Sequence, residues 1–229
     1  MRVLLTRPLE DGTETARQLR LRGHEALIAP LMSLRFLGGG ELDLKGVQAI
    51  LATSANGVRA LAQRTRTRDL PIFAVGPQSA AEARKLGFAE IKSADGDADA
   101  LAKSAREWAE PSKGALLHVA GVGNDGKLAA TLSEFAVRRE ILYAVIPAEK
   151  MPAEIPIWLA RGRVDAALFF SSRSGAIFRE LGIAEGLDLT GVFAVAISPA
   201  VAAALKPLTF ASVRIAPRPN LENIINLLT

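Results

Sequence analysis

Short apolar runs separated by amphipathic segments form the dominant pattern of this chain. Ten such runs recur from end to end. Because they are continuously apolar rather than alternating, they predict parallel strands that are covered on both faces. The runs lie at 3–5, 25–29, 47–52, 72–75, 89–92, 115–120, 140–146, 165–170, 193–197 and 212–216.

The segments between the runs carry apolar residues at spacings of three and four, which predicts helices. Glycines stand where left-handed residues would end three of these helices: Gly23, Gly87 and Gly182. Regular alternation of strand and helix predicts doubly wound α/β layers. The clearest predicted helices span 13–23, 77–87, 97–109 and 125–137.

The sequence also contains an internal repeat. Residues 47–88 are echoed by 165–208, and residues 6–30 are echoed more loosely by 120–147. A repeat of this size predicts two similar lobes, each with five of the ten strands. The offset is nearly constant: 117 from Pro30 to Pro147, 118 from Thr53 to Ser171 and 122 from Gly76 to Ser198.

Three segments fit no predicted element. Residues 35–46 and 148–156 have the character of connections, and Gly38–Gly40 make the first one flexible. Residues 63–70 form a basic run without aromatic residues, which predicts a solvated helix end or loop. A nucleic-acid patch is the weaker alternative for this run.

The composition of the 229 residues limits the chemistry. With 49% hydrophobic residues the chain can form one large α/β domain or two small ones. It contains no cysteine, which excludes disulfides, thiolate chemistry and cysteine-bound metals. With no apolar segment of membrane-spanning length, the cytoplasm is the default location. The net charge of +4, carried by 20 arginines and eight lysines, indicates either an anionic partner or a basic solvated surface.

Small and polar residues collect where predicted strands end. In parallel sheets, ligands bind at the carboxyl ends of strands, where helix N-termini offer free N–H groups to anions. Any single hydroxyl among them is better explained as an ordinary helix cap, so only the set as a whole indicates a binding site. The polar clusters lie at Thr6-Arg7, Thr53-Ser54, Gly76 to Ser79, Gly121, Ser171 to Ser174 and Ser198.

Several kinds of site are absent from the sequence. It has no P-loop, no paired-histidine metal spacing and no G-x-S-x-G motif, and residues 121–126 match a dinucleotide fingerprint only superficially. His24 and His118 lie in or beside predicted strands, which favours packed structural residues over the alternative of a ligand or a base. Tyr143, the sole tyrosine, is predicted to end a strand, as either a capped core phenol or a proton donor.

Taken in order, these motifs resemble the uroporphyrinogen-III synthase family over nearly the whole chain. Any single motif is weak, whereas the ordered set is fairly specific. Besides the strand that carries Tyr143, the set consists of "VLLTRP", "GHEALIAPL", "ILATSANGVRAL", "FAVGPQSAAEARKLGF", "DGDADALA", "LFFSSRSGAIF", "AISPAVAAAL" and "IAPRPNLENIINLL".

The resemblance implies an α/β fold of two similar lobes, each a doubly wound, flavodoxin-like parallel sheet of five strands. The chain would cross between the lobes twice. One lobe would consist of residues 1–35 and 148–229, and the inserted lobe of residues 40–143. The connecting segments would be 36–39 and 144–147, and we expect helix N-termini of both lobes to face a cleft between them.

The family closes linear hydroxymethylbilane into uroporphyrinogen III and inverts the last pyrrole ring, without a metal or organic cofactor. Loss of the hydroxymethyl oxygen leaves an azafulvene. The last ring attacks it through its substituted α-carbon, and the resulting spiro intermediate fragments and recloses. The resemblance therefore implies a carboxylate-rich small-molecule substrate, no nucleic acid and no membrane, and we expect a cytoplasmic monomer.

Residue by residue, the resemblance implies Tyr143 as the acid that assists loss of the hydroxyl group. Ser198 replaces the family's usual glycine, and Val201 a frequent threonine. These departures leave open a non-catalytic, two-lobed binder of small anions or tetrapyrroles. The expected substrate-binding residues are Thr6, Arg7, Thr53, Ser54, Gly76, Ser79, Gly121, Ser171, Arg173, Ser174 and Ser198.

Overall fold

The structure is a computed structural model that describes residues 1–124 and 126–228. Within these residues the chain forms two compact units. The first consists of Met1–Ser33 together with the chain from Ile146 onward. The second consists of Leu34–Val145 and is inserted into the first.

The described residues form eleven strands and nine α-helices. The strands are β1 (Arg2–Leu5), β2 (Glu25–Ile28), β3 (Met32–Phe36), β4 (Val47–Ala52), β5 (Ile72–Ala74), β6 (Ile91–Ser93), β7 (Ala115–Gly121), β8 (Val137–Pro147), β9 (Ala166–Phe169), β10 (Phe193–Ala196) and β11 (Ser212–Ile215). The helices are α1 (Leu9–Leu21), α2 (Ala55–Arg64), α3 (Pro77–Lys85), α4 (Ala98–Trp108), α5 (Lys127–Thr131), α6 (Glu154–Ala160), α7 (Ser172–Ala184), α8 (Pro199–Ala204) and α9 (Leu221–Ile225).

The first unit is a five-stranded sheet in the order β11-β10-β9-β1-β2, and all its neighbouring strands are parallel. Helices cover both faces. Val3 and Leu5 of β1 pack with α1 and α9 on one face, while Leu4 belongs to the apolar cluster of α6, α7 and α8 on the other. Burial on both faces explains why these strands are continuously apolar.

The second unit is a six-stranded sheet in the order β3-β8-β7-β4-β5-β6. The strands from β8 to β6 are parallel to one another. α2 and α3 cover one face, where they pack on Ile50 and Ala52, and α4 and α5 cover the other, where they pack on Ala49 and Leu51. Both units are therefore doubly wound α/β layers, as predicted.

Strand β3 corrects the prediction of ten strands in two five-stranded lobes. It runs antiparallel to β8, because Leu37 N–H donates to the carbonyl of Leu142 while Ala148 N–H donates to that of Leu31. An edge strand with alternating buried and exposed residues lacks a continuous apolar run, so the apolar runs do not reveal it. Both points at which the chain passes between the units lie in β3 and β8.

The strand orders explain the sequence repeat. If β9, β10, β11, β1 and β2 are matched with β4, β5, β6, β7 and β8, the two sheets have the same spatial order. The units are thus similar but circularly permuted along the chain. The first follows the flavodoxin-like order 2-1-3-4-5 when its own strands are numbered along the chain, whereas the parallel strands of the second follow 3-2-1-4-5. The flavodoxin-like prediction holds for the first unit only.

The helix predictions were correct for α1, α3 and α4 but not for residues 125–137. There α5 spans only Lys127–Thr131, and Asp125, which belongs to this prediction, lies outside the described residues. Gly23 and Gly87 follow their helices with φ of +77° and +84°, as predicted for helix ends. The prediction that Gly182 ends a helix was wrong, because this residue lies within α7, where it faces Leu187 and Leu208.

Residues 63–70 form the end of α2 and the loop that follows it, as predicted, but Arg64 and Arg68 are half-buried rather than solvated. The guanidinium of Arg64 donates to the carbonyls of Leu37 and Gly40, and that of Arg68 donates to the carbonyl of Leu86. Both arginines therefore stabilise loops of the second unit through these hydrogen bonds. Of the helices in the described residues, none combines the length and apolar character needed to cross a bilayer.

Candidate functional site

The carboxyl ends of three neighbouring strands bring together most of the predicted site residues of the second unit. β4 lies between β7 and β5, and the chain order of the strands reverses between β4 and β7. Such a reversal opens a crevice at the carboxyl edge of a sheet, where ligands of α/β proteins bind. The residues at this edge are Thr53, Ser54, Gly76, Ser79 and Gly121.

Ser54 caps helix α2. Its backbone is extended, and its Oγ accepts a hydrogen bond of 3.0 Å from the N–H of Gly57. Gly57 lets the first turn of the helix approach β7, because a Cβ at this position would lie 3.0 Å from the carbonyl oxygen of Val119. The cap predicted from the sequence is therefore real, and it depends on the glycine three residues later.

Tyr143 lies beside this cap. It is the register partner of Gly121 in β7, and its phenol oxygen is 2.8 Å from Ser54 Oγ. The ring covers Gly121 so closely that a Cβ there would lie 2.8 Å from two ring carbons. The prediction that Tyr143 ends its strand was wrong, because β8 continues to Pro147 and pairs with the edge strand β3.

His118 lies on the opposite face of the same sheet. Its side chain is 0% exposed, as expected for a packed residue, and its Nε2 is 3.2 Å from Thr53 Oγ1. Burial lowers the pKa of His118 to about 4, and the positive charge of Arg139 acts in the same direction. Burial also lowers the pKa of His24, which lies beside the N-terminus in the first unit.

Gly76 and Ser79 continue the edge at the next strand. Gly76 is the N-cap of α3 and follows β5, whose neighbours are β4 and β6. Ser79 lies in the first turn of α3 and is only 3% exposed. Backbone N–H groups of this turn are therefore better placed for a ligand than the Ser79 hydroxyl.

The corresponding edge of the first unit contains Ser171 and Ser174. Ser171 Oγ caps α7 by accepting from the N–H of Ser174 at 3.1 Å, and the Ser174 hydroxyl donates to the Ser171 carbonyl at 2.9 Å. Arg173 is exposed in the same turn. The two caps show that Ser54, rather than Thr53, corresponds to Ser171, so the offset there is 117.

Thr6 and Arg7 follow β1, next to β9 in the sheet. Thr6 is 1% exposed, so its hydroxyl is inaccessible in this conformation. Arg7 donates to Asp11 at 3.2 Å and lies over the ring of Phe170, 4.1 Å from its centroid. Much of the Arg7 charge is therefore balanced within the first unit, which weakens its case as a carboxylate ligand.

Ser198 caps α8, with its Oγ accepting from the N–H of Val201 at 3.4 Å. Val201 is 3% exposed and belongs to the apolar cluster of this unit. The valine thus contributes to the core, and the hydroxyl at this helix start comes from Ser198.

The structure thus groups the predicted residues into one set at the edge of each unit. Sequence reasoning missed two contacts: the covering of Gly121 by Tyr143, and the bond between His118 and Thr53. Neither has a local signal, because each joins residues on different strands. Across residues 1–124 and 126–228, no three histidine, aspartate or glutamate side chains are grouped as metal ligands would be.

Comparison with known proteins gives one family. The sequence model described as "Uroporphyrinogen-III synthase HemD" matches residues 13–226. No curated protein sequence matches the chain significantly.

Among solved structures, the chain is similar to uroporphyrinogen-III synthetase from Helicobacter pylori, with 15% identity and a TM-score of 0.65. It is also similar to a mutant uroporphyrinogen III synthase from Thermus thermophilus, with 19% identity and a TM-score of 0.53. Both matches cover 99% of this chain and 96% of the other, and at these identities they show the shared fold.

Proposed function

The chain belongs to the uroporphyrinogen-III synthase family, and we propose that it converts hydroxymethylbilane into uroporphyrinogen III with inversion of the last pyrrole ring. As a member of this family it is a cyclising lyase of haem biosynthesis. The comparisons do not favour the alternative of a non-catalytic binder. The substrate and the roles of individual residues are our proposal.

The observation that carries the mechanism is the hydrogen-bonded row Gly57 N–H, Ser54 Oγ and Tyr143 Oη. Its links are 3.0 and 2.8 Å long. If Ser54 donates its proton to the phenol oxygen, the proton of Tyr143 remains free for a substrate. The free N–H groups at the start of α2 polarise this row, which favours negative charge developing on Tyr143.

We assign Tyr143 as the general acid for loss of the hydroxyl group. The carbon–oxygen bond of the hydroxymethyl group breaks with its electron pair on oxygen, which takes the phenol proton and leaves as water. The pyrrole ring, which keeps its N–H proton, is left as an electrophilic azafulvenium cation. The last ring attacks it through its substituted α-carbon, and the spiro intermediate fragments and recloses through the free α-carbon of that ring. The proton that this carbon loses restores the phenol. Ser54 is a positioning residue, because it acts through Tyr143.

The edges of the two sheets are proposed to bind the acetate and propionate groups of the substrate. Helix N-termini supply N–H donors, and carboxylates are stabilised there by the helix dipole. Holding the reacting ends together can contribute about 7–11 kcal/mol to lowering a barrier. The proposed ligands are Thr53, Ser54, Gly121 and the backbone N–H groups from Gly76 to Ser79 in the second unit, and Ser171, Arg173, Ser174 and Ser198 in the first. Thr6 and Arg7 are the weaker members of the predicted set, because the Thr6 hydroxyl is buried and Arg7 is paired with Asp11.

An isomer assay tests the proposed function. Hydroxymethylbilane is generated in situ, and the products are separated by chromatography. Spontaneous closure gives the type I isomer, whereas the protein is expected to shift the product to type III. Type I product alone, in the presence of folded protein that binds the bilane, would reject the synthase assignment and favour the binder.

Replacement of the phenol tests the acid. Tyr143→Phe is expected to lower kcat by about 10²-fold or more while KM changes little, because general acids contribute about 10²–10⁴-fold. Ser54→Ala retains the phenol and should lower kcat less than Tyr143→Phe does. An unchanged kcat in the Tyr143→Phe variant would remove the acid role but leave the synthase assignment standing.

A monomeric state and a cytoplasmic location are part of the same proposal. Size-exclusion chromatography with light scattering would test the first, and cell fractionation the second. A stable dimer at micromolar concentration would contradict the proposed monomer.

A further inference from the structure

We infer that His118 is a positioning residue for substrate binding, an inference that rests on the proposed function and deepens it. Its neutral imidazole donates from Nε2 to Thr53 Oγ1. The proton of the Thr53 hydroxyl is thereby left free to bind a carboxylate of the substrate at the edge of the sheet.

The strand register brings the two residues together. His118 pairs with Leu51 of β4. Thr53 lies two positions after Leu51, so its side chain lies on the same face of the sheet as that of His118. The resulting distance from His118 Nε2 to Thr53 Oγ1 is 3.2 Å. His118 is 0% exposed, and its Nδ1 is the buried side-chain atom without a hydrogen-bond partner among the described residues.

The unpartnered Nδ1 decides which nitrogen carries the proton. A buried N–H group without an acceptor is rarer and more costly in proteins than a lone pair without a donor. The proton of the neutral ring therefore belongs on Nε2, which must donate, and Thr53 Oγ1 accepts. A hydroxyl group has one proton, so that of Thr53 is directed away from the imidazole.

The surroundings keep the ring neutral. Arg139 is the register partner of His118 on β8, and a positive charge there disfavours a second proton on the imidazole. Helices α4 and α5 contribute apolar side chains to this face, Leu101, Ala105 and Leu128 among them. With the ring neutral, the direction of the hydrogen bond to Thr53 stays the same across the physiological pH range.

The position of Thr53 gives this bond its use. Thr53 follows β4 at the reversal of strand order, is half-buried, and directly precedes Ser54, which contacts Tyr143. A carboxylate held by the Thr53 hydroxyl would be bound at the carboxyl end of β4, one residue before the serine that positions the proposed acid and on the other face of the sheet. His118 would therefore help determine which part of the tetrapyrrole is presented to Tyr143.

The first test reads the tautomer without any assay of activity. Long-range ¹⁵N–¹H NMR of the folded wild-type protein shows which ring nitrogen carries the proton. His118→Gln identifies the signals, because the chain has two histidines. We expect His118 neutral and protonated on Nε2 from about pH 6 to 8. A proton on Nδ1, or a charged ring at pH 6, would overturn the inference.

The second test is kinetic. His118→Leu is expected to raise KM about tenfold with kcat little changed, the effect of one lost hydrogen bond to a charged group. His118→Gln retains a donor and should restore most of the affinity. Thr53→Val should resemble His118→Leu, and the double variant should be no worse than either. Additive losses would mean that the two residues act independently.

Leu116→Ala is the matched control, because Leu116 lies on β7 and is fully buried in the apolar cluster on the same face. It should lower stability without raising KM. If His118→Leu behaves in this way too, its role is merely structural. If wild-type protein yields no type III product, the proposed function fails, while the NMR result still decides the direction of the bond.

Discussion

At the scale of single residues, two glycines define the position of the proposed acid as much as its hydrogen bond does. Gly57 lets the start of α2 approach β7, and Gly121 leaves room for the ring of Tyr143. A Cβ at Gly121 would meet the ring at 2.8 Å, closer than side-chain carbons tolerate. The requirement at both positions is space, since neither glycine has a positive φ.

Gly121→Ala should therefore displace the Tyr143 ring from Ser54. We expect kcat to fall towards that of Tyr143→Phe, with a loss of about 1–3 kcal/mol of stability from overpacking. Kinetics and urea unfolding measure the two effects. Gly38→Ala, in a loop of the same unit with open space around it, is the control and should change neither. A wild-type kcat for Gly121→Ala would argue against the proposed placement of the phenol.

His118 makes the stability depend on pH. Its pKa of about 4 in the folded protein lies below the ordinary value of 6.5, so the unfolded chain binds the proton more readily. The contribution of neutral His118 to the free energy of unfolding is fully present above pH 6.5. It is lost as the pH drops towards 4, by about 3 kcal/mol in total. Urea unfolding of wild type and His118→Gln across this range isolates the effect, and parallel profiles would disprove it.

At the scale of elements, the basic run at the end of α2 stabilises neighbouring loops through hydrogen bonds from its arginine side chains. Arg64 donates to carbonyls of the loop at 37–40, and Gly39 lies so close to its guanidinium that a Cβ there would be 2.6 Å away. Arg68 donates to the carbonyls of Ala62, Thr65 and Leu86. Charge in this run is thus used for internal hydrogen bonds.

Arg64→Lys should loosen this loop, because an ammonium group cannot reproduce the fork of the guanidinium. We expect faster hydrogen exchange and proteolysis at 37–41 and a stability loss of about 1 kcal/mol. Limited proteolysis followed by mass spectrometry locates the cut. Arg66→Ala, an exposed position in the same run, should leave the loop unchanged. Equal protection of the loop in both variants would contradict the assignment.

At the scale of the whole molecule, charge is a property that the sequence already reveals. The net charge of +4 is small for 229 residues, but the proposed substrate, which is rich in carboxylates, would be attracted to it. Several arginines are compensated by nearby carboxylates, such as Arg59 by Glu82 and Arg2 by Asp165. The long-range field, rather than a single basic patch, is therefore expected to guide the substrate.

We expect kcat/KM to fall several-fold between about 20 and 200 mM ionic strength, since screening weakens this attraction. kcat should change little, because the bound complex is already formed. Steady-state kinetics in sodium chloride and in sodium sulfate at equal ionic strength separates screening from specific ion effects. A kcat/KM independent of salt would show that the overall charge does not guide the substrate.

Local pattern by itself determined most of the fold. Continuous apolar runs located ten of the eleven strands and indicated their parallel arrangement, and the repeat predicted two similar units. The caps Ser54 and Ser171 and the helix-ending Gly23 and Gly87 were also readable. These features depend on neighbours within a few residues, so the sequence contains them directly.

Only the tertiary structure decided the rest. The edge strand β3, the permuted strand order, the covering of Gly121 by Tyr143 and the bond from His118 to Thr53 all depend on which strands lie side by side and in which register. His118 and Thr53 are 65 positions apart, and Ser54 and Tyr143 are 89 apart. Register between distant strands is set by the packing of the whole sheet, which no local window of sequence records.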